Sequence, residues 1–137
     1  MYVMKYFTIT ELCASDVAKK KGIYNEPTAW VAANLVRLVE NVLDPLRQAY
    51  GKPIKVNSGY RSKALNKAVG GVSNSQHLDG MAADIVGTPN TKEENKKLFE
   101  LVQRLNLPFC QLINEAQMSW VHISYDRNNV KRQILAL

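Results

Sequence analysis

The chain has 137 residues, of which 46% are hydrophobic, and a formal net charge of +6. This length predicts one domain, residues 1–137, that buries an adequate core without covalent cross-links. The two cysteines, Cys13 and Cys110, are too few and too widely separated for a disulfide framework or for paired zinc-binding motifs. We therefore expect buried, reduced thiols in an ordinary globular protein.

The first part of the chain is predicted to be helical. Thr8 and Glu11 have the spacing of a capping box, with Thr8 as the N-cap. The helix that follows should end near Gly22, because glycine readily takes the left-handed conformation that terminates many helices.

A second helix is predicted from Pro27, which suits the first position of a helix. Its apolar residues recur every three or four positions, as in an amphipathic helix: Trp30, Val31, Leu35, Leu38, Val39, Val42 and Leu46. We expect Pro45 to kink or break this helix and Gly51 to end it.

The second part of the chain mixes strands with a helix. Ile54 and Val56 alternate with polar residues as in a short strand, NSGYRS is typical of a turn, and KALNKAV has the character of a short helix. MAADI, FCQLI and WVHIS are predicted strands, and Thr91 with Glu94 forms a second capping box before a helix whose acidic residues should be exposed. This order predicts an α+β fold, a small and mainly antiparallel sheet with helices packed against it.

A basic segment, residues 51–70, carries five cationic residues and no acidic one: Lys52, Lys55, Arg61, Lys63 and Lys67. Such a run is either a solvated face or a surface that attracts an anionic partner. We do not expect a nucleic acid as that partner, because the chain has no helix-turn-helix, RRM or zinc-finger spacing.

No targeting or membrane segment is predicted. The start, MYVMKYFTITEL, lacks the uninterrupted apolar run and the small-residue cleavage site of a signal peptide. No apolar stretch approaches the roughly 20 residues that span a bilayer. We therefore expect synthesis in the cytoplasm without a membrane anchor, and action outside the cell only after release.

The only two histidines, His77 and His122, lie beside or within predicted strands. A single histidine in a strand is usually structural, but these two and Asp84 together offer two imidazoles and one carboxylate. That set is typical of a catalytic zinc site, which keeps a fourth position for water. Gly80 permits a sharp turn between His77 and Asp84, so both can point at one site. On spacing alone, two unrelated structural histidines remain the alternative.

The segment SQHLDGMAAD fits the pattern SxHxxGxAxD, and it lies between SGYRS and WVHIS. In this order the three blocks resemble the zinc D-Ala-D-Ala carboxypeptidase family of metallopeptidases, from FTITEL through WVHIS. The chain is most similar to the short branch of that family found in phage and prophage genomes, which includes endolysins.

This resemblance implies a D-Ala-D-Ala peptidase-like fold of the Hedgehog type and one Zn²⁺ ion bound by His77, Asp84 and His122. It implies action on the stem peptide of peptidoglycan in the bacterial cell wall. We also expect the protein to be a monomer. The scissile bond stays open, because D-Ala-D-Ala trimming, cross-bridge cleavage and L-Ala-D-Glu cleavage all occur among relatives.

The resemblance also implies roles for residues around the metal. Arg61 of SGYRS matches the family arginine that contacts the substrate, where a guanidinium grips a carboxylate or steadies an oxyanion. Tyr60 and Ser75 are expected to bind substrate as well. Ser75 and Asp79 are also expected to support the geometry of the ligands.

The general base is the point at which this sequence departs from the family pattern. Many members have Glu or Asp three positions before the last metal ligand, whereas this chain has Ser119, which cannot serve as a base. Glu115 is the nearest upstream acid, and we predict that it is the base. Asp79 is the alternative.

Three functions remain open from the sequence. The first is a zinc peptidase that cuts a peptidoglycan bond involving D-amino acids, as a phage endolysin does. The second is a relative that keeps the zinc but has lost hydrolysis and recognises wall peptides or a partner protein, which Ser119 favours. The third, a small basic nucleic-acid-binding protein, rests on charge alone.

Overall fold

The computed structural model of the protein describes residues 2–137. In chain order its elements are α1 (Ile9–Cys13), α2 (Asp16–Lys21), α3 (Ala29–Leu38), a π-helical segment (Val39–Leu43), α4 (Asp44–Tyr50), β1 (Lys55–Ser58), α5 (Lys63–Ala68), a 3-10 helix (Gln76–Asp79), β2 (Ala82–Val86), α6 (Lys92–Arg104), β3 (Gln111–Glu115), β4 (Trp120–Ser124) and β5 (Gln133–Ala136). The chain forms both helices and a sheet, which confirms the predicted α+β class. Among residues 2–137, no helix is both long and apolar enough to cross a membrane.

The five strands form one sheet in the order β1-β2-β4-β3-β5. The first three pairings are antiparallel, and β5 lies parallel to β3. The sheet is therefore mixed, although mainly antiparallel as predicted. The sequence did not predict β5, which is an edge strand near the carboxyl end.

The two faces of the sheet differ because successive side chains of a strand point to opposite sides. One face packs on the helices through fully buried apolar residues: Ala83, Ile85, Leu112, Val121 and Ile123. The intervening residues of the same strands, Asp84 on β2 and His122 on β4, therefore point to the other face. The hydrophobic alternation thus determines which side of the sheet carries polar chemistry.

The predicted first helix is two short helices. Thr8 forms the expected capping box with Glu11, but α1 ends at Cys13, and Ser15 caps a second helix by accepting a hydrogen bond from the Ala18 N–H. This second cap, which the prediction missed, lets the chain turn between α1 and α2. Gly22 ends α2 in the left-handed conformation, as predicted.

The predicted second helix begins later and does not break at Pro45. Thr28 is its N-cap, because its hydroxyl accepts a hydrogen bond from the Val31 N–H, whereas Pro27 precedes the helix. Proline cannot donate to the carbonyl one turn earlier, and the turn just before Pro45 widens into the π-helical segment before α4 continues. Trp30, predicted on the apolar face, is 57% exposed.

Helix α6 begins after Thr91 as predicted, but its acidic residue Glu94 is only 8% exposed. The Glu94 carboxylate binds the ammonium groups of Lys52 and Lys97, the latter at 2.8 Å, and accepts a hydrogen bond from the Tyr50 hydroxyl at 2.6 Å. The expectation of exposure was wrong because partners more than 40 residues away in the chain cover this carboxylate.

Asn95, which is fully buried, connects α6 to two parts of the sheet. Its side-chain oxygen accepts a hydrogen bond from the Gly87 N–H at 2.8 Å, just after β2. Its side-chain nitrogen donates to the carbonyls of Met118 at 2.9 Å and Ser119 at 3.2 Å, in the turn between β3 and β4. A single side chain therefore holds that turn against the helix layer.

We expect Asn95→Ala to lower the free energy of unfolding by about 1–3 kcal/mol, because it leaves the buried Gly87 N–H without its acceptor. Urea unfolding followed by circular dichroism measures this loss. Asn90→Ala is the matched control, since Asn90 is exposed and only accepts one hydrogen bond from Asn95. Equal losses in the two variants would contradict a special role for Asn95.

Candidate metal centre

The centre of the polar face is a cross-strand pair. Asp84 on β2 lies directly opposite His122 on β4, and Ser58 on β1 lies opposite Asp84. A bulge between Val56 and Ser58 shifts the register of β1, so that Ser58 lies on the polar face. The Asp84 Oδ1 atom is 3.0 Å from His122 Nδ1.

His77 reaches the same point from the 3-10 helix before β2. Ser75 caps this helix by accepting a hydrogen bond from the His77 N–H at 3.2 Å. Gly80 ends the helix with a φ of 72°, and a side chain there would lie 2.7 Å from the Val31 carbonyl oxygen. The glycine is therefore required both by the backbone conformation and by the contact with α3.

The three side chains converge on a small volume. His77 Nε2 lies 3.4 Å from Asp84 Oδ1, and the two imidazole centroids are 5.1 Å apart with the rings at 69°. One ligand atom from each of His77, Asp84 and His122 lies within 4.8 Å of the others. Atoms this close together can bind a single metal ion.

The chemistry of His77 supports a metal at this point. Its Nδ1 lies 2.6 Å from the Gly59 carbonyl oxygen, which only accepts hydrogen bonds, so Nδ1 carries the proton and Nε2 has a free lone pair. Nε2 is buried and has no hydrogen-bond partner among the described residues. A buried, unpartnered lone pair beside a carboxylate and a second imidazole fits the donor set of a zinc site with an open position.

The charge state of Asp84 also suits a ligand. Burial alone would raise its pKa, but hydrogen bonding, chiefly to His122, outweighs burial and holds the pKa well below its usual range. Asp84 is therefore an ionised carboxylate at neutral pH, which is the form that binds metals.

Arg61 is held at the edge of this centre. Its backbone N–H donates to the His77 carbonyl at 3.0 Å, its Nη1 donates to Asn66 Oδ1 at 3.2 Å, and its Nη2 lies 3.8 Å from Asp84 Oδ2. Burial lowers the pKa of Arg61, and its Nε is buried without a partner among the described residues. The guanidinium thus lies at the wall of the groove, beside the candidate ligands.

The basic segment around Arg61 does not act as one surface. Lys52 is paired with Glu94, Arg61 lies in the candidate site, and the other three cationic residues, Lys55, Lys63 and Lys67, are exposed. The four lysines of the segment are therefore either neutralised or solvated. Among its five cationic residues, Arg61 is the one beside the candidate metal centre.

Glu115 lies on the polar face at the end of β3. It is opposite Trp120, and therefore diagonal to His122 on the neighbouring strand. Partial burial raises the pKa of Glu115 and, together with the negative charge of Asp84, outweighs the lowering of this pKa by the nearby His122. A carboxylate with a raised pKa beside the candidate ligands has the properties expected of a general base.

The hairpin turn after Glu115 engages the side chain of Ser119. Ala116, Gln117 and Met118 have φ angles of 48°, 57° and 63°, so the turn is left-handed throughout. The Ser119 hydroxyl donates to the Ala116 carbonyl at 2.7 Å. Ser119 therefore stabilises the turn, and Glu115 is the acidic residue that the hairpin brings to the polar face.

Of the remaining predicted site residues, some line the groove around the candidate metal centre and others lie outside it. Ser75 lines the groove that contains the three candidate ligands, as do Arg61 and Glu115. Asp79 contributes its backbone carbonyl to a hydrogen bond from Asn34 at 2.9 Å. Tyr60 packs on the hydrophobic core and is not among the described residues that line the groove.

The groove contains residues that sequence reasoning missed. It has a volume of about 950 Å³, and its walls include Trp120, Ile113, Leu135 and Leu137. Trp120 and His122 are two positions apart in a predicted strand, so the alternation of side chains was a usable signal for Trp120. The sequence carried no comparable signal for the Gly59 carbonyl that orients His77, because any residue has a carbonyl.

Comparisons with known proteins agree with this geometry. The profile of the Peptidase M15 family matches residues 5–124. A segment of 44 residues, 31% of this chain, is 54% identical to the zinc D-Ala-D-Ala carboxypeptidase of Streptomyces albus G, and the match spans 17% of that relative. The His-Asp-His centre gives this chain a place for the zinc of such enzymes. The chain therefore belongs to the Peptidase M15 family of metallopeptidases, and its cofactor is zinc.

Proposed function

We propose that this protein is a zinc-dependent peptidase that hydrolyses an amide bond of the peptidoglycan stem peptide, at a bond that involves a D-amino acid. The observation that carries the proposal is the convergence of His77, Asp84 and His122 in one groove with a cation and a second carboxylate. The name of the similar Streptomyces enzyme supports D-alanyl peptides as the substrate class.

In this proposal His77, Asp84 and His122 are the protein ligands of one zinc ion. Bound zinc supplies Lewis acidity, which polarises an amide carbonyl and lowers the pKa of water. The Gly59 carbonyl fixes the tautomer of His77, and Asp84 brings one negative charge to balance the metal.

Arg61 binds the substrate in this proposal. Its fork of N–H donors at the wall of the groove suits a carboxylate, which the stem peptide carries. The Asn66 side chain and the His77 carbonyl hold Arg61 in place, so little side-chain entropy is lost when the substrate binds. Ser75, on the same wall, is a further contact for the peptide.

Glu115 is the general base in this proposal. Its carboxylate accepts a proton from the attacking water and then delivers that proton to the nitrogen of the leaving amine. Because the pKa of Glu115 is raised, it lies closer to neutral pH, which favours both the uptake and the release of the proton.

The proposed setting is the bacterial cell wall, where the protein acts as a monomer after release from the cell that makes it, as a phage endolysin does. The direct test is incubation with purified peptidoglycan, followed by mass spectrometry of the released fragments. Zinc chelation should stop the release, and added zinc should restore it. If the protein binds zinc and stem peptide but releases no fragment, it is instead a relative that has lost hydrolysis, which is the alternative that Ser119 supports.

The metal ligands give the first functional prediction. Purified protein should carry about one zinc per chain, and His77→Ala, Asp84→Ala and His122→Ala should each lose it. Elemental analysis measures the metal, and circular dichroism of the same samples shows whether each variant is folded. Wild-type zinc content in any two folded variants would refute this ligand set.

Gly59→Ala tests the support of His77. The added methyl would lie 2.1 Å from the Leu12 carbonyl oxygen, so the backbone must move and carry the Gly59 carbonyl away from His77. We expect zinc affinity to fall about 10–100-fold in competition with a chelator.

Gly22→Ala is the matched control for this variant. It strains a left-handed position with nothing within 4 Å, so it should cost stability but not zinc affinity. A loss of zinc affinity equal to that of Gly59→Ala would show that general destabilisation is the cause.

Glu115→Gln tests the general base. It should keep the zinc and the fold but lose about 10²- to 10⁴-fold in kcat, because the amide cannot accept the proton. Asp79→Asn is the comparison variant, and we expect it to retain turnover. If Asp79→Asn is the slow enzyme and Glu115→Gln is not, the base is Asp79.

A further inference from the structure

Strand β5 adds an apolar wall to the groove in a part of the chain that the family match does not reach. The match ends at residue 124, whereas β5 spans Gln133–Ala136. Leu135 and Leu137 line the same groove as the three candidate ligands. Neither leucine has a part in the proposed metal chemistry, so the wall needs an explanation of its own.

The sheet register fixes the distance between this wall and the metal centre. His122 on β4 is opposite Ile113 on β3, and Ile113 is opposite Leu135 on β5. Adjacent strands lie about 4.8 Å apart, so Leu135 is roughly 10 Å from His122 on the same face. An extended peptide advances about 3.3 Å per residue, so the wall lies two or three residues from the centre along a bound substrate.

Hydrogen bonds hold the wall rigidly against the rest of the site. The Leu137 N–H donates to the Asn114 carbonyl, and the Leu137 carbonyl accepts from the Ala116 N–H, each at 2.8 Å. The side chains of Gln111 and Gln133 form a further hydrogen bond at 2.8 Å between β3 and β5. The wall is therefore formed before a substrate binds.

Arg61 lies on the opposite side of the centre. It is beside Asp84 of β2, whereas β3 and β5 lie on the far side of β4. If Arg61 holds a carboxylate on the carboxyl side of the scissile bond, the residues on the amino side run toward Leu135. The groove is then cationic at one end and apolar at the other.

We infer that Leu135, with Ile113 beside it, forms a subsite for an aliphatic substrate side chain two or three positions to the amino side of the scissile bond. The inference rests on the proposed function, from which it takes the direction of the substrate. Contact with the wall removes CH₂ groups from water, which stabilises binding, whereas a charged side chain would be desolvated there.

The test compares substrates of two lengths. Mass spectrometry on purified peptidoglycan first locates the scissile bond. Synthetic stem peptides with one or three residues on the amino side of that bond are then given to wild type, Leu135→Ala and Ile134→Ala. Ile134 is the matched control, because it loses as many carbon atoms from the same strand but lies opposite Leu112, on the other face.

We expect Leu135→Ala to lower the ratio of kcat/KM for the longer peptide to kcat/KM for the shorter one by about fivefold to tenfold. The fall should come from KM. Ile134→Ala should leave the ratio unchanged. An unchanged ratio in Leu135→Ala or an equal fall in both variants would overturn the subsite.

Failure of the proposed function can be told apart from failure of the subsite. If wild type releases no fragment from peptidoglycan, the peptidase proposal fails, and calorimetry with zinc-loaded protein and a complete synthetic stem peptide tests the wall alone. Leu135→Ala should then bind about fivefold to tenfold more weakly than wild type, and Ile134→Ala should bind equally well. Equal affinity in all three proteins, or no binding by wild type, would overturn the subsite.

Discussion

The register between β2 and β4 is the constraint on which the rest of the site depends. It sets Asp84 opposite His122 on the face of the sheet that the helices leave open. If either strand shifted by one residue, its polar side chain would turn into the hydrophobic core and its apolar residues would face the groove. The same burial that fixes Ala83 and Ile85 against the helices therefore fixes the carboxylate and the imidazole in the site.

The third candidate ligand, His77, comes from outside the sheet, and backbone contacts position it. The Gly59 carbonyl accepts from the His77 ring, and the His77 carbonyl accepts from the Arg61 N–H. These reciprocal bonds join the turn after β1 to the 3-10 helix before β2. Arg61 and His77 are consequently positioned by one another, so a change in either loop affects both.

Much of this arrangement could be predicted from the sequence because it depends on local patterns. The spacing around His77 and Asp84, the alternation in WVHIS and the caps at Thr8 and Thr91 all act over a few residues. The missed features depend on partners that are distant along the chain. Glu94 is buried by Lys52 and Tyr50, and β5 exists because it pairs with β3, which no periodicity within QILAL indicated.

The left-handed turn between β3 and β4 affects both the stability of the protein and the position of the side chains at the ends of the hairpin. Left-handed backbone costs an L-residue about 1–2 kcal/mol, and three successive residues here adopt it. Glycine at these positions would relieve that cost, but it would also give the hairpin many more accessible conformations. The ends of this hairpin carry Glu115 and Trp120. Glycine substitutions that make the turn more stable would therefore loosen the orientation of the Glu115 carboxylate, so that gains in stability would come at the expense of a fixed geometry in the groove.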